Sequence, residues 1–268
     1  MRRLVAMDLG IRGRKAIVNG GSAGMGKAAA FALAREGVEL VLSARGAARL
    51  HATAAEIAAA TGVRVIAVVA DHSQPEGFAR ILAACPAPDI LVGTCSPPPM
   101  TEDYRSIDAA QWQTSLDTGL LSPVHFMNAV LEGMVARRWG RIVNIASIAA
   151  KYPLELRILS GAPRAALINY AGAVALRVAQ HGVTINNVLP GMFHTAFTQE
   201  HLGARALANG TSYEAEVARF SEDFRIAARR FGDTQDVGAL VAWLCSQFAG
   251  YITGQSIVID GGATRSTF

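Results

Sequence analysis

Short runs rich in apolar and β-branched residues alternate with longer alanine-rich stretches along the chain, and this alternation constrains its fold more than any other feature. The pattern predicts strands over residues 15–19, 38–42, 63–69, 90–92, 141–145, 184–188 and 256–259. It predicts helices over residues 24–36, 47–60, 75–84, 109–137, 163–181 and 235–249. Strand, helix, strand repeated in this way demands right-handed crossovers and a parallel sheet. The strand segments read as unbroken apolar runs, as they do when helices cover both faces. The expected architecture is a three-layer α/β fold, with helices on both faces of a doubly wound, mainly parallel seven-stranded sheet. With 51% hydrophobic residues the chain has the apolar content for such a core. No fixed-period repeat or low-complexity linker interrupts it, so residues 1–268 read as one domain. The rhythm breaks only at about residues 191–230, which carry polar residues with Gly203, Asn209 and Gly210. An insertion there is expected to lie over the carboxyl ends of the strands as a substrate lid. Met192, Phe193, Phe197 and Leu202 either line that lid against a partly apolar substrate or pack into the core.

Charge and cysteine usage exclude several classes of function. The net charge is only +4, and the arginines (Arg2, Arg3, Arg12, Arg14, Arg35, Arg45, Arg64) are dispersed, with no basic tract interleaved with aromatics. That argues against a nucleic-acid partner and is met by an anionic cofactor plus a solvated surface. Cys85, Cys95 and Cys245 are odd in number and show no CxxC spacing. They predict neither a disulfide framework nor a metal site and fit the reducing cytoplasm. Apolar runs such as residues 63–70 are too short to span a membrane, and residues 1–14 do not read as a signal peptide. A cytoplasmic protein without a membrane partner is expected.

Directly after the first predicted strand comes Asn19-Gly20-Gly21-Ser22-Ala23-Gly24-Met25-Gly26, which runs straight into a helix. Glycines permit a tight turn with positive φ and let the backbone approach a pyrophosphate. The helix behind them offers free N–H groups and the positive end of its dipole. Gly20, Ser22, Gly24, Met25 and Gly26 are therefore the expected phosphate-binding residues of a Rossmann-type dinucleotide site. After the second strand an NAD-binding chain usually places a carboxylate for the ribose hydroxyls. Here the residues are Leu42-Ser43-Ala44-Arg45, with no acid. A guanidinium at Arg45 suits a 2′-phosphate through charge-assisted, forked contacts. NADP(H) is the preferred cofactor, with NAD(H) the second choice.

These features resemble the short-chain dehydrogenase/reductase family, in particular its 3-oxoacyl-ACP-reductase-like members, whose turn reads TGxxxGxG. Gly20, Gly24 and Gly26 match that turn, and Asn19 stands where the Thr would be. The resemblance continues through Asp71, residues 89–92, 140–147 and 186–191, Thr195, residues 230–232 and residues 251–262. It implies that Asp71 holds the adenine ring and that Pro190, Gly191 and Thr195 lie against the nicotinamide. It also implies a small carbonyl or alcohol substrate, and a homodimer or homotetramer whose contacts run through the helices over 109–137 and 163–181.

The catalytic positions depart from the family. Its members use a Ser, a Tyr thirteen residues later, a Lys four after that, and an Asn on the preceding long helix. The Tyr is the general acid/base, and the Lys brings down a phenol of ordinary pKa about 10. Ser147 matches, but Ser160 stands for the Tyr, Arg164 for the Lys and Gly119 for the Asn. The NNAG segment after the fourth strand reads Gly93-Thr94-Cys95-Ser96. An aliphatic hydroxyl is a weaker and shorter acid than a phenol, and arginine stays protonated. Ser147, Ser160 and Arg164 can bind and polarise an oxyanion without the usual proton relay. Lys151 and Tyr152 follow Ser147 by four and five residues and are the expected substitutes for the lost proton donor. The Pro97-Pro98-Pro99 run marks a subgroup of the family that pairs its Ser with a Lys four residues on and with SxxxR. His194 is a third candidate acid. Two readings follow: an NADP(H)-dependent oxidoreductase with a modified centre, or a catalytically silent subunit that binds nucleotide or forms a hetero-oligomer with an intact relative.

Overall fold

A computed structural model describes residues 7–265; Arg2 and Arg3, with the start of the 1–14 segment, lie outside the described residues. The strands are β1 (Lys15–Asn19), β2 (Glu39–Ala44), β3 (Val65–Val69), β4 (Ile90–Gly93), β5 (Gly140–Ile145), β6 (Val183–Pro190) and β7 (Ser256–Ile259). All pair in parallel, in the order β3-β2-β1-β4-β5-β6-β7. The order reverses between β1 and β4, so the crossover helices leave toward opposite faces and open a crevice at the carboxyl ends of these two strands.

Alternate residues of each strand serve opposite layers. Ala16 and Val18 of β1 join one buried cluster with α1 (Gly24–Arg35), α2 (Ala47–Thr61) and α9 (Thr234–Leu244). Ile17, between them, joins the other, with α3 (Pro75–Ala84), α5 (Ser122–Ala136) and α6 (Ile158–Val178). Burial on both faces is the reason the strands carry no polar alternation.

Two helices differ from their sequence expectation in ways that shape the site. The stretch over 109–137 is not one regular helix. It is α4 (Ala109–Leu116), capped by Asp108 and Gln111, then a π-helical turn (Asp117–Leu121), then α5. Such turns widen the backbone locally and are found often at functional sites. The second helix begins at Ile158, five residues before the expected Pro163. Pro163 has no N–H and leaves the Leu159 carbonyl without its helical partner. The Ser115 hydroxyl of α4 donates to that carbonyl instead. This rescue puts Ser160 and Arg164 on one face of α6, a helical turn apart.

Residues 191–230 are more regular than their composition suggested, forming α7 (Ala196–Asn209) and α8 (Tyr213–Asp223). Thr195 and Thr198 form a capping box at the start of α7, and Gly210 ends it in the left-handed conformation. Gly203 is accommodated inside α7.

Candidate active site

The glycine turn is packed so closely that only glycine fits at two of its positions. A Cβ on Gly26 would lie 2.3 Å from the Gly20 carbonyl oxygen and 2.9 Å from Thr94 Cγ2. One on Gly20, whose φ is +73°, would lie 2.8 Å from the Thr94 carbonyl oxygen. The backbone N–H groups of Gly20 and Gly21 both donate to the Ser43 carbonyl, which pins the turn to β2. Asn19, where the resemblance has Thr, accepts a 2.7 Å hydrogen bond from the buried Ser43 hydroxyl and so ties β1 to β2. By contrast a Cβ on Gly24 would meet nothing within 4 Å, although its φ is +53°. Ala23 precedes α1 without a side-chain cap, so the first N–H groups of the helix face this open space. Open space, unpaired donors and a dipole end suit a pyrophosphate. Ser22 is buried and its carbonyl accepts from Thr53, while Met25 packs against the core.

At the far end of the crevice Ala44 ends β2 and Arg45 follows, its side chain 72% exposed. Its Nη1 stands 3.9 Å from Asp71 Oδ2, a loose contact that leaves the guanidinium available. Asp71 accepts from the Ser73 backbone and hydroxyl at 3.0 and 2.7 Å. Burial acts to raise the Asp71 carboxyl, but the Ser73 bonds, with His72 and Arg45, hold it below the ordinary aspartate value.

The catalytic candidates divide into two groups. Ser147 follows β5, and its Oγ accepts from the Ala149 N–H at 3.1 Å, which leaves its O–H to donate elsewhere. A Cβ on Gly161 would lie 2.7 Å from the Ala149 carbonyl oxygen, so α6 is pressed against the turn that carries Ser147. Ser160 and Arg164 are both 5% exposed. Arg164 Nη1 donates to Ser160 Oγ and to the Ser160 carbonyl, each at 3.2 Å, and Nη2 donates to Cys95 Sγ at 2.9 Å. A Cβ on Gly119, in the π-helical turn, would lie 3.1 Å from Pro163 Cβ and 3.7 Å from Arg164 Nη1. The glycine and the arginine therefore face one another, and the space an asparagine side chain would need is taken by Pro163 and the guanidinium.

Lys151 is exposed on the following loop, its Nζ 5.5 Å from the centroid of the partly buried Tyr152 ring. The structure brings Ser160 and Arg164 into contact and Lys151 next to Tyr152.

His194 is turned to a structural task, its Nδ1 2.9 Å from the Tyr213 hydroxyl of α8. Pro190 is the last residue of β6, and Gly191 crosses so close to Asp260 that a Cβ would lie 2.6 Å from its Cβ. Thr195 is engaged in the α7 cap. Of the apolar residues after β6, Phe193 lies in the main core, and Leu202 packs with Val217, Ile226 and Phe231 in a smaller cluster that Met192 borders. Phe197 instead lies beneath the Arg157 guanidinium. Arg157, Cys95 and Ser115 were invisible to sequence reasoning, because no spacing rule joins residues brought together across 40 or more positions.

Glu216 of α8 ties α7 and α8 together. Its Oε1 accepts from Asn209 Nδ2 at 2.9 Å and Thr211 Oγ1 at 2.7 Å, and Arg205 Nε lies 2.9 Å from Oε2. The Asn209 and Thr211 bonds, helped by Arg205 and Arg219, hold this carboxyl below its ordinary value of 4.5. A depressed pKa contributes stability above the unfolded-state value that is lost as pH falls through the folded one. Hydrogen exchange should therefore show α7 and α8 opening as pH drops below 4.5. Glu216→Gln should exchange faster at neutral pH and lose most of that pH dependence.

Comparison with known proteins places nearly the whole chain among reductases of this fold. The family described as enoyl-(acyl carrier protein) reductase matches residues 20–264. The 3-oxoacyl-[acyl-carrier-protein] reductase of Vibrio cholerae is 30% identical over 260 residues, covering 95% of this chain and 98% of the relative. L-sorbose reductase from Gluconobacter frateurii, solved with NADPH and L-sorbose, superposes with a TM-score of 0.92 at 28% identity, covering 97% of this chain and all of that one. YwfH, an NADPH-dependent reductase involved in bacilysin biosynthesis, gives a TM-score of 0.85 at 26% identity, covering 94% of this chain and 99% of that chain. No helix among the described residues is long and apolar enough to cross a membrane.

Proposed function

The chain belongs to the short-chain dehydrogenase/reductase family of NAD(P)-dependent oxidoreductases, and on that premise we propose that it interconverts a carbonyl and an alcohol in a small, partly apolar substrate through a modified centre, with NADP(H) as its cofactor. The observation that carries this reading is the open, donor-lined space before α1, where Gly20, Ser22, Gly24, Met25 and Gly26 would hold the pyrophosphate. Arg45, exposed and directly after Ala44, which stands where an acid would select NAD(H), would take the 2′-phosphate. Pro190, Gly191 and Thr195 border the nicotinamide end. When bound there, the nicotinamide supplies or accepts the hydride.

The chain's own residues provide the rest. Ser147 donates its free O–H to the substrate oxygen. Buried Arg164, fixed by Ser160, adds positive charge where negative charge develops on that oxygen, and such preorganised charge needs no rearrangement during reaction. The proton comes from Tyr152, with Lys151 beside its ring, in place of the relay that Ser160 and Arg164 no longer form. We place the protein in the cytoplasm as a homodimer or homotetramer. The mutual bonding of Ser160 and Arg164 favours a second reading, a silent subunit that binds nucleotide or pairs with an active relative.

Fluorescence titration of the purified protein decides the first part. NADPH should bind at least about tenfold more tightly than NADH, and Arg45→Ala should remove that gap, because one lost charge-assisted contact is worth a factor of that size. Failure of both nucleotides to bind would overturn the oxidoreductase reading. Binding without turnover on a panel of carbonyls and alcohols would select the silent subunit.

A further inference from the structure

Arg164 is almost fully buried, yet its acceptors are a carbonyl, a hydroxyl and a thiol sulfur. Among the described residues no carboxylate forms an ion pair with Arg164, and none forms one with Arg157. The buried Arg141 also lacks a carboxylate, but the carbonyls of Gly140, Gly182 and Ser246 and the face of Trp139 surround it at the start of β5, far from the crevice. The acceptors of Arg164 come from its own helical turn and from Cys95 after β4, and Arg157 has one long bond, to the Pro98 carbonyl.

Arg157 stands where three segments bordering the crevice converge. It closes the turn (Glu155–Arg157) that leads into α6, and its Nη1 donates to the Pro98 carbonyl at 3.4 Å on the loop after β4. Its guanidinium lies 5.1 Å from the centroid of Phe197 on α7. Both guanidiniums reach the same short segment after β4, Arg164 at Cys95 and Arg157 at Pro98. Burial and, after it, the charge of Arg164 hold the Arg157 guanidinium below the ordinary arginine value. A buried and a partly buried guanidinium that share one segment repel each other, an anion bound by both relieves that repulsion, and the guanidinium fork matches a carboxylate or a phosphate.

We propose that Arg157 and Arg164 form an anion subsite, so that the substrate reacting at Ser147 carries a carboxylate or phosphate group. This rests on the oxidoreductase reading and narrows it to a class of substrate. A neutral ketone or alcohol would leave both charges uncompensated inside the site. Because Phe197 belongs to α7, seating the anion on Arg157 also ties the helical cover to the substrate.

The test uses the whole protein loaded with NADP+, which has no hydride to give to a ketone, and reads thermal unfolding and calorimetry. The probes are acetoacetate, its neutral methyl ester and inorganic phosphate. Acetoacetate or phosphate should bind the wild type at least about tenfold more tightly than the ester, the advantage expected of one charge-assisted pair. Which of the two anions binds better tells a carboxylate substrate from a phosphorylated one. Arg157→Met should abolish the preference, Arg157→Lys should restore part of it, and both should bind NADP+ as the wild type does. Equal binding of ester and anions overturns the inference, as does an anion preference that survives in Arg157→Met. Loss of NADP+ affinity in Arg157→Met overturns it as well, since the arginines would then serve the nucleotide. If the wild type binds no NADP+, the oxidoreductase reading fails by itself, and the comparison of acid and ester remains readable on the free protein.

Discussion

Gly26→Ala should lower NADPH affinity by at least about a hundredfold and destabilise the fold by about 1–3 kcal/mol, the usual cost of overpacking a tight contact. The added methyl would sit 2.3 Å from the Gly20 carbonyl oxygen, which cannot retreat without breaking the bonds from Gly20 and Gly21 to Ser43. The turn must shift, and the geometry of its donors shifts with it. Gly24→Ala provides the comparison. Its methyl meets nothing, so its structural cost is only the left-handed φ of +53°, about 1–2 kcal/mol, yet it projects into the space reserved for phosphate. That variant should keep most of its thermal stability and still lose affinity by about tenfold or more. If NADPH binds Gly26→Ala as it binds the wild type, the cradle is not the nucleotide site.

Ser147→Ala should reduce kcat by about a hundredfold to a thousandfold on any carbonyl the protein turns over, the range found when one donor to a developing oxyanion is removed. The expectation comes from the hydrogen-bond arrangement. Because the Ser147 oxygen is occupied by the Ala149 N–H, its single O–H is directed away from its own backbone. The loss should fall on kcat more than on KM, since the interaction strengthens as charge builds on the substrate oxygen. Tyr152→Phe should cost a comparable factor of about a hundredfold or more and flatten the alkaline limb of the pH–rate profile, as removal of a general acid does. Lys151→Met should cost less than Tyr152→Phe, leaving much of the rate. Rates unchanged in all three variants would remove the proposed relay and leave only the nucleotide site.

Much of the fold was legible in the chain because strand and helix periodicities are local. The first, third and seventh strand segments differ from their expected bounds by at most two residues, and the helix over 75–84 not at all. Where the sequence reading departed, a distant residue was responsible. Pro163 looked like a helix start, but α6 begins at Ile158 and the Leu159 carbonyl that Pro163 cannot serve accepts from the Ser115 hydroxyl on α4. Residues 191–230 looked irregular because Gly203 and Gly210 weaken propensity, whereas Leu202, Val217 and Phe231 bury a small core that favours two helices. Thr195, expected against the nicotinamide, also has a cap to make.

The sequence alone determined the order of strands and helices, the glycine turn between β1 and α1, and the presence of Ser147 where catalytic residues were expected. Those features are written in residues that are neighbours along the chain, so spacing reveals them. Only the tertiary structure decided that Gly119 and Arg164 are one accommodation, because a Cβ at Gly119 would come within 3.7 Å of the Arg164 guanidinium though the two are far apart in sequence. It alone set Cys95 and Ser160 as the partners of Arg164, and brought Arg157 to Pro98 on the same segment as Cys95. Charges and buried contacts are three-dimensional quantities, and the packing of α4, α6 and the loop after β4 against one another creates them.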